Sequence, residues 1–139
     1  MGQPIQDVMK PDPVTVDASE SLPRAAQLMR DNDIGDVFVT QQGAPFGIVT
    51  DRDIVVRAVA NSEGTLSWTV GDICSTSLVS CRPSDDVEDA IRAMNDHALR
   101  RVPIVDDNEI VGVVSLGDLA IERDPGSVLS NISAAPPNT

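Results

Sequence analysis

Aromatic residues are almost missing from this chain: two Phe, one Trp and no Tyr in 139 residues. A ligand pocket must therefore be aliphatic, and bases along a single nucleic-acid strand find no stacking platform. Basic residues are also scarce, ten Lys and Arg against 22 Asp and Glu, for a formal charge of -12. That charge repels phosphate backbones over a distance comparable to the Debye length, and no Lys/Arg-rich run offsets it, so no nucleic-acid partner is expected. A small phosphorylated ligand needs only a few converging cations, as at Arg100-Arg101. No stretch reaches the ~18 to 20 apolar residues of a membrane span and no basic-then-apolar leader opens the chain, so no membrane partner and a cytoplasmic location are expected. Cys74 and Cys81 are too few for a disulfide framework, lack Cys-x-x-Cys spacing and have one His to join them, which argues against a metal site. They read as small buried hydrophobes, with a redox bridge between them as the alternative.

What is present is a repeat. The 41% apolar content suffices for one core or two half-size units. Shifting the sequence by 65 positions (72 minus 7) aligns Asp7–Ile54 with Asp72–Leu119 without a gap. Identical pairs include Val14/Val79, Ser19/Ser84, Ala25/Ala90, Met29/Met94, Val37/Val102, Gly47/Gly112, Val49/Val114 and Asp53/Asp118. Such a period marks one duplicated supersecondary unit, and neither copy need bury its apolar face alone.

Both copies carry the same succession of signals. Pro13–Val16 and Leu78–Cys81 are short β-rich runs that end in polar turn residues. Leu22, Ala25, Ala26 and Met29, matched by Val87, Ala90, Ile91 and Met94, recur at the spacing of one buried helical face. Two strands follow, 37–40 with 46–49 and 102–105 with 110–114, joined by hairpin turns at Gln42-Gly43 and Asp107-Asn108. A second helix starts after Thr50 and after Ser115, so the unit is β-α-β-β-α, twice. The expected division is a first repeat over 1–62, a linker over 63–71 anchored by Trp68, a second repeat over 72–123 and a tail over 124–139. In the tail, Val128, Leu129 and Ile132 offer apolar side chains to the core or to a partner.

The strongest local signal is Gly47-Ile48-Val49-Thr50-Asp51-Arg52-Asp53, repeated as Gly112-Val113-Val114-Ser115-Leu116-Gly117-Asp118. A hydroxyl followed three residues on by an acid is also a helix capping box, and a duplicated cap would recur just as well. Arg100-Arg101 equally suits a helix C-terminus, where cations favour the macrodipole. His97 reads as a solvated or capping side chain, Asp51, Arg52 and Arg57 as surface ion pairs, and Lys10 and Arg24 as within reach of a phosphate that nothing requires. No nucleophile-base set or metal-ligand cluster recurs, so an enzyme is not expected and no cofactor is required.

Taken whole, the pattern resembles the CBS domain family, named after cystathionine β-synthase, in its paired arrangement (a Bateman module), over nearly all of Asp7 to Arg123. The resemblance implies an α/β fold of two tandem β-α-β-β-α CBS repeats, related by pseudo-two-fold symmetry and packed sheet to sheet. It implies that Thr50 and Asp53, and Ser115 and Asp118, hold ribose hydroxyls of an adenosine ligand. A carboxylate accepts from both hydroxyls of a diol at once, which suits that role. By the same resemblance each site spans the repeats. Site one would join Ile48, Thr50 and Asp53 to Val79, Ser80, Leu99, Arg100, Arg101 and Pro103. Site two would join Val113, Ser115 and Asp118 to Val14, Thr15, Ile34, Gly35 and Asp36. Because Gly35-Asp36 stands where the second copy has Arg100-Arg101, site two is expected to lack cations and to bind phosphorylated ligands weakly. The expected function is a cytoplasmic regulatory sensor of an adenine nucleotide or S-adenosylmethionine-like ligand, which forms a homodimer and acts on a separate protein effector, in the manner of stand-alone pairs linked to stress. The alternative is a ligand-free dimerisation or interaction module.

Overall fold

The computed structural model describes residues 2–61, 67–123 and 132, and the chain divides into two compact units. One is continuous, Val14–Leu78; the other is split and joins Met1–Pro13 to Val79–Thr139. In chain order the regular elements are β1 (Lys10–Pro11), β2 (Thr15–Asp17), α1 (Leu22–Asn32), β3 (Asp36–Gln41), β4 (Ala44–Thr50), α2 (Asp51–Asp53), α3 (Val70–Ile73), α4 (Val87–His97), β5 (Arg101–Asp106), β6 (Glu109–Ser115) and α5 (Leu116–Arg123). After α2 the first copy continues as a π turn, Ile54–Ala58, and a 3-10 turn, Val59–Asn61, where the second copy has the plain α-helix α5.

In the continuous unit the sheet order is β2-β3-β4, with β2 parallel to β3 across α1 and β4 antiparallel to β3. Helix α1 starts on Ser21, whose side chain accepts from the Arg24 N–H at 3.3 Å, and Pro23 sits in the first turn, where no donor is needed. Leu22, Ala25 and Met29 are buried against Val16, Val37, Val39 and Val49. The matching stripe in the split unit is Val87, Ala90 and Met94 on α4, packed with Val102, Ile104, Val114 and Leu119. The expected fourth member of each stripe, Ala26 and Ile91, is exposed instead. Each helix thus buries a narrower face than its apolar sequence suggests.

Both hairpins turn as expected. Gln42 and Gly43 have φ of 53° and 82°, and Asp107 and Asn108 have φ of 50° and 61°, the left-handed pair that matches the twist of adjoining strands. The first strand of the second copy does not form over Leu78–Cys81. Only Cys81 pairs, as a parallel bridge to Ile104. In the first copy the Phe38 N–H donates to the Val14 carbonyl at 3.3 Å. The residue in the equivalent place is Pro103, which has no N–H to give to Val79.

The units also cross the boundaries 1–62 and 72–123 drawn from the sequence. Ile5 is fully buried in the core of the second copy, and Val70 and Ile73 lie in the core of the first. Equivalent backbone bonds hold these leading segments: Ile5 N to Asp85 O and Gln6 N to Pro83 O in the split unit, Val70 N to Glu20 O and Gly71 N to Ala18 O in the continuous one. Trp68, the expected anchor of the linker, is 38% exposed. In the tail, Val128 and Leu129 lie outside the described residues and Ile132 is exposed. No helix among the described residues is long and apolar enough to cross a membrane.

Candidate functional site

In the continuous unit, β4 drives Val49 into the core and ends on Thr50 at the sheet's edge with α2. Thr50 adopts an extended conformation, so its Oγ1 accepts the Asp53 N–H at 2.9 Å while Asp53 Oδ2 accepts the Thr50 N–H at 3.0 Å. The capping box that the spacing allowed is therefore built. It also fixes the carboxylate: Asp53 is 18% exposed, and its Oδ1 faces outward to Arg57 Nε at 3.6 Å. Arg57 is itself tied down, its Nη1 donating to the Ile73 carbonyl at 3.1 Å. Asp36 on β3 is the register partner of Thr50, and the Gly35 carbonyl accepts the Asp51 N–H at 2.9 Å. The surroundings of this motif are thus rich in carboxylates.

The glycine that opens the motif has a structural cause. The segment after α3 bonds back onto β4, with Ile48 N to Ser75 O and Ser75 N to Ile48 O both at 2.9 Å. A Cβ on Gly47 would collide with the Ser75 carbonyl oxygen. In the split unit β1 makes the same approach to β6, Lys10 opposite Val113 and Pro11 opposite Gly112. There a Cβ on Gly112 would stand 2.5 Å from Met9 Sδ and 3.0 Å from the Lys10 carbonyl oxygen.

The second motif follows the same plan with different neighbours. Ser115 Oγ accepts the Asp118 N–H at 3.0 Å. Asp118 Oδ1 lies 3.2 Å from the Lys10 ammonium, with the carboxylate side chain 20% exposed and the lysine 71% exposed. Arg101, half-buried, is the register partner of Ser115, and the Arg100 carbonyl accepts the Leu116 N–H at 2.8 Å. Gly35-Asp36 brings no cation of the kind that Arg100-Arg101 would, yet Asp118 itself meets one from elsewhere in the chain. Lys10 supplies one, through a pairing of β1 with β6 that no local pattern announces.

The remaining site candidates fall into two sets, one in each unit. Val14, Thr15, Ile34, Gly35, Asp36, Ile48, Thr50 and Asp53 belong to the continuous unit, and Val79, Ser80, Leu99, Arg100, Arg101, Pro103, Val113, Ser115 and Asp118 to the split one. Pro103 and Val113 are buried, Thr15, Ser80 and Arg100 are exposed, and Val14, Ile34, Ile48, Val79 and Leu99 are half-buried. His97 is exposed in the last turn of α4. Two residues passed over as site members touch the motif carboxylates, Arg57 and Lys10. The first could have been found from its four-residue spacing to Asp53.

Both cysteines are free thiols. Burial pushes the Cys74 thiol up, and the nearby Asp53 charge adds to the rise. Burial likewise raises Cys81, helped by Asp85 and Asp89. Among the described residues no group of three His, Cys, Asp or Glu side chains is placed to hold a metal ion.

Comparison with known proteins agrees with this architecture. The CBS domain model matches residues 5–59 and 70–123. The CBS domain-containing protein YhcV of Bacillus subtilis is 40% identical over 133 residues, covering 93% of this chain and 94% of its own. The crystal structure of Hypoxic Response Protein I with two coordinated zinc ions superposes with a TM-score of 0.78 at 28% identity, over 85% of this chain and 97% of that one. The CBS domain pair of protein MJ0100, crystallised with 5'-methylthioadenosine and S-adenosyl-L-methionine, has the same fold, with a TM-score of 0.74 at 23% identity over 86% and 94% of the two chains. The chain belongs to the CBS domain family and is a tandem CBS pair.

Proposed function

We propose that this CBS pair is a cytoplasmic regulatory module, not an enzyme, that senses an adenosine-containing ligand of the AMP, ADP or ATP class. The observation that carries the reading is the state of the two motif aspartates. Each is largely buried, each belongs to a hydroxyl cap where a strand meets a helix, and each keeps an oxygen turned to an exposed cation. Such an oxygen can exchange its ion-pair contact for two ribose hydroxyls while the cap holds the carboxylate in place. The ligand-holding residues in this reading are Ile48, Thr50 and Asp53 with Val14, Thr15 and Ile34 in the continuous unit, and Val113, Ser115 and Asp118 with Val79, Ser80, Leu99, Arg100, Arg101 and Pro103 in the split one. That the fold can accept adenosine compounds is supported by MJ0100, and a role in stress by the relation to Hypoxic Response Protein I.

A second reading, a dimerisation module without ligand, draws on a different observation. Val55, Val56 and Val59 are 58%, 46% and 56% exposed along the turns that follow α2. Apolar side chains in that arrangement suit a second copy of the chain.

Thermal unfolding with AMP, ADP, ATP, S-adenosylmethionine and GTP separates the two readings. A ligand bound only by the native state stabilises it by about 2.7 kcal/mol at a hundredfold excess over Kd. Adenine ligands should raise the Tm of the wild type, and the double variant Asp53→Asn, Asp118→Asn should lose the shift. No shift with any ligand, in a chain that light scattering finds dimeric, would favour the second reading.

A further inference from the structure

The Ser115–Asp118 motif carries a cation that comes from 108 residues away in sequence (118 minus 10). β1 places Lys10 opposite Val113, and from there its ammonium reaches Asp118 Oδ1. In the other copy the residue in the same place is Ser75, opposite Ile48, so the lysine is specific to one motif.

The two cations on the motif carboxylates are held differently. Arg57 lies four residues from Asp53, and a carbonyl bond from Ile73 anchors its guanidinium. Lys10 is 71% exposed on a flexible four-carbon stem, whereas its partner carboxylate is largely buried and its backbone N–H is bonded to Ser115. An ion pair with one exposed partner contributes little to stability, so the ammonium can leave the carboxylate at small cost and remain within its own reach of it. A ribose diol that takes over Asp118 sets free a positive charge beside the ligand. Phosphate is the ligand group that would use it.

We propose that Lys10 is the anion-selecting residue of the Ser115–Asp118 motif, which makes that motif prefer phosphorylated over neutral adenosine ligands. This rests on the reading of Asp118 as a ribose-holding group. It removes the reason for expecting the second site to be the weaker one for nucleotides.

The test is calorimetric titration of ADP and of adenosine into the full chain carrying Asp53→Asn, which silences the first motif, with and without Lys10→Met. With Lys10 present, ADP should bind more tightly than adenosine. Lys10→Met should weaken ADP about tenfold, as expected for loss of one charge-assisted contact, while adenosine binds equally well or more tightly. An equal effect on both ligands, or none, overturns the inference while the adenosine-sensor reading stands. Loss of all binding in Asp53→Asn, from a wild type that binds, also overturns it, because the second motif then holds no ligand. A wild type that binds neither compound overturns the sensor reading, and this inference with it.

Discussion

The Thr50–Asp53 and Ser115–Asp118 motifs share a strand, a cap and a spacing, yet differ in the charge around them. Thr50 pairs across the sheet with Asp36, and Ser115 with Arg101. Asp53 meets an anchored arginine of its own helix, and Asp118 a loose lysine from the start of the chain. Duplication has kept what folding needs in each copy, the glycine, the buried valine and the cap. It has let the side chains across the sheet from each hydroxyl diverge in sign. Two motifs built on one plan thereby present different charge, because a charged side chain at the end of a strand can change sign at little cost to the fold, whereas the glycine cannot change.

The largest effect that would test this account falls on the glycines. Gly47→Ala drives a methyl into the Ser75 carbonyl, a backbone atom that cannot swing away, and should cost about 2 to 3 kcal/mol in urea unfolding. At Gly112 the nearest obstacle is Met9 Sδ, the end of a flexible side chain, so Gly112→Ala should cost about 1 kcal/mol. Equal costs would mean that the two leading segments are held alike.

The caps come next. Thr50→Val removes the hydroxyl of a reciprocal box and should destabilise by about 1 kcal/mol, with Ser115→Ala at or below that value, both read from denaturant midpoints. A larger loss at Ser115 would reverse the ranking of the two caps.

Smallest is the alkaline response of the thiols. Both native thiols are raised above the ordinary 9.0, so the native state keeps protons that the unfolded chain releases. The stability they contribute is complete below that pH and is lost as pH climbs through the raised native values. Stability should therefore decline above pH 9.0, and Cys74→Ala or Cys81→Ala should each flatten the decline. A thiol count of two, with or without reductant, would exclude the redox bridge between them.

The helices, the hairpins and the α/β repeat were legible in the residues, and so was the pairing of hydroxyl with carboxylate in both motifs. These features are local: α1 and α4 follow from stripes at helical spacing, and the turns from Gln42-Gly43 and Asp107-Asn108. The misreadings share a different origin. Leu78–Cys81 has strand-forming residues, but whether it pairs depends on the N–H of the residue facing it, and that residue is Pro103. Ile91 has the periodicity of a core residue and remains exposed, because the sheet is covered by the three residues Val87, Ala90 and Met94.

That there are two copies, what each is built from, and which hydroxyl and carboxylate stand together could be read from neighbouring residues, since the partners lie within one turn of helix or one hairpin. That residues 5–13 lead the second copy's unit and that Lys10 rests on Asp118 depends on long-range packing. Those contacts join segments about a hundred residues apart, and they form because Gly112 leaves room for a strand whose arrival no neighbouring residue encodes.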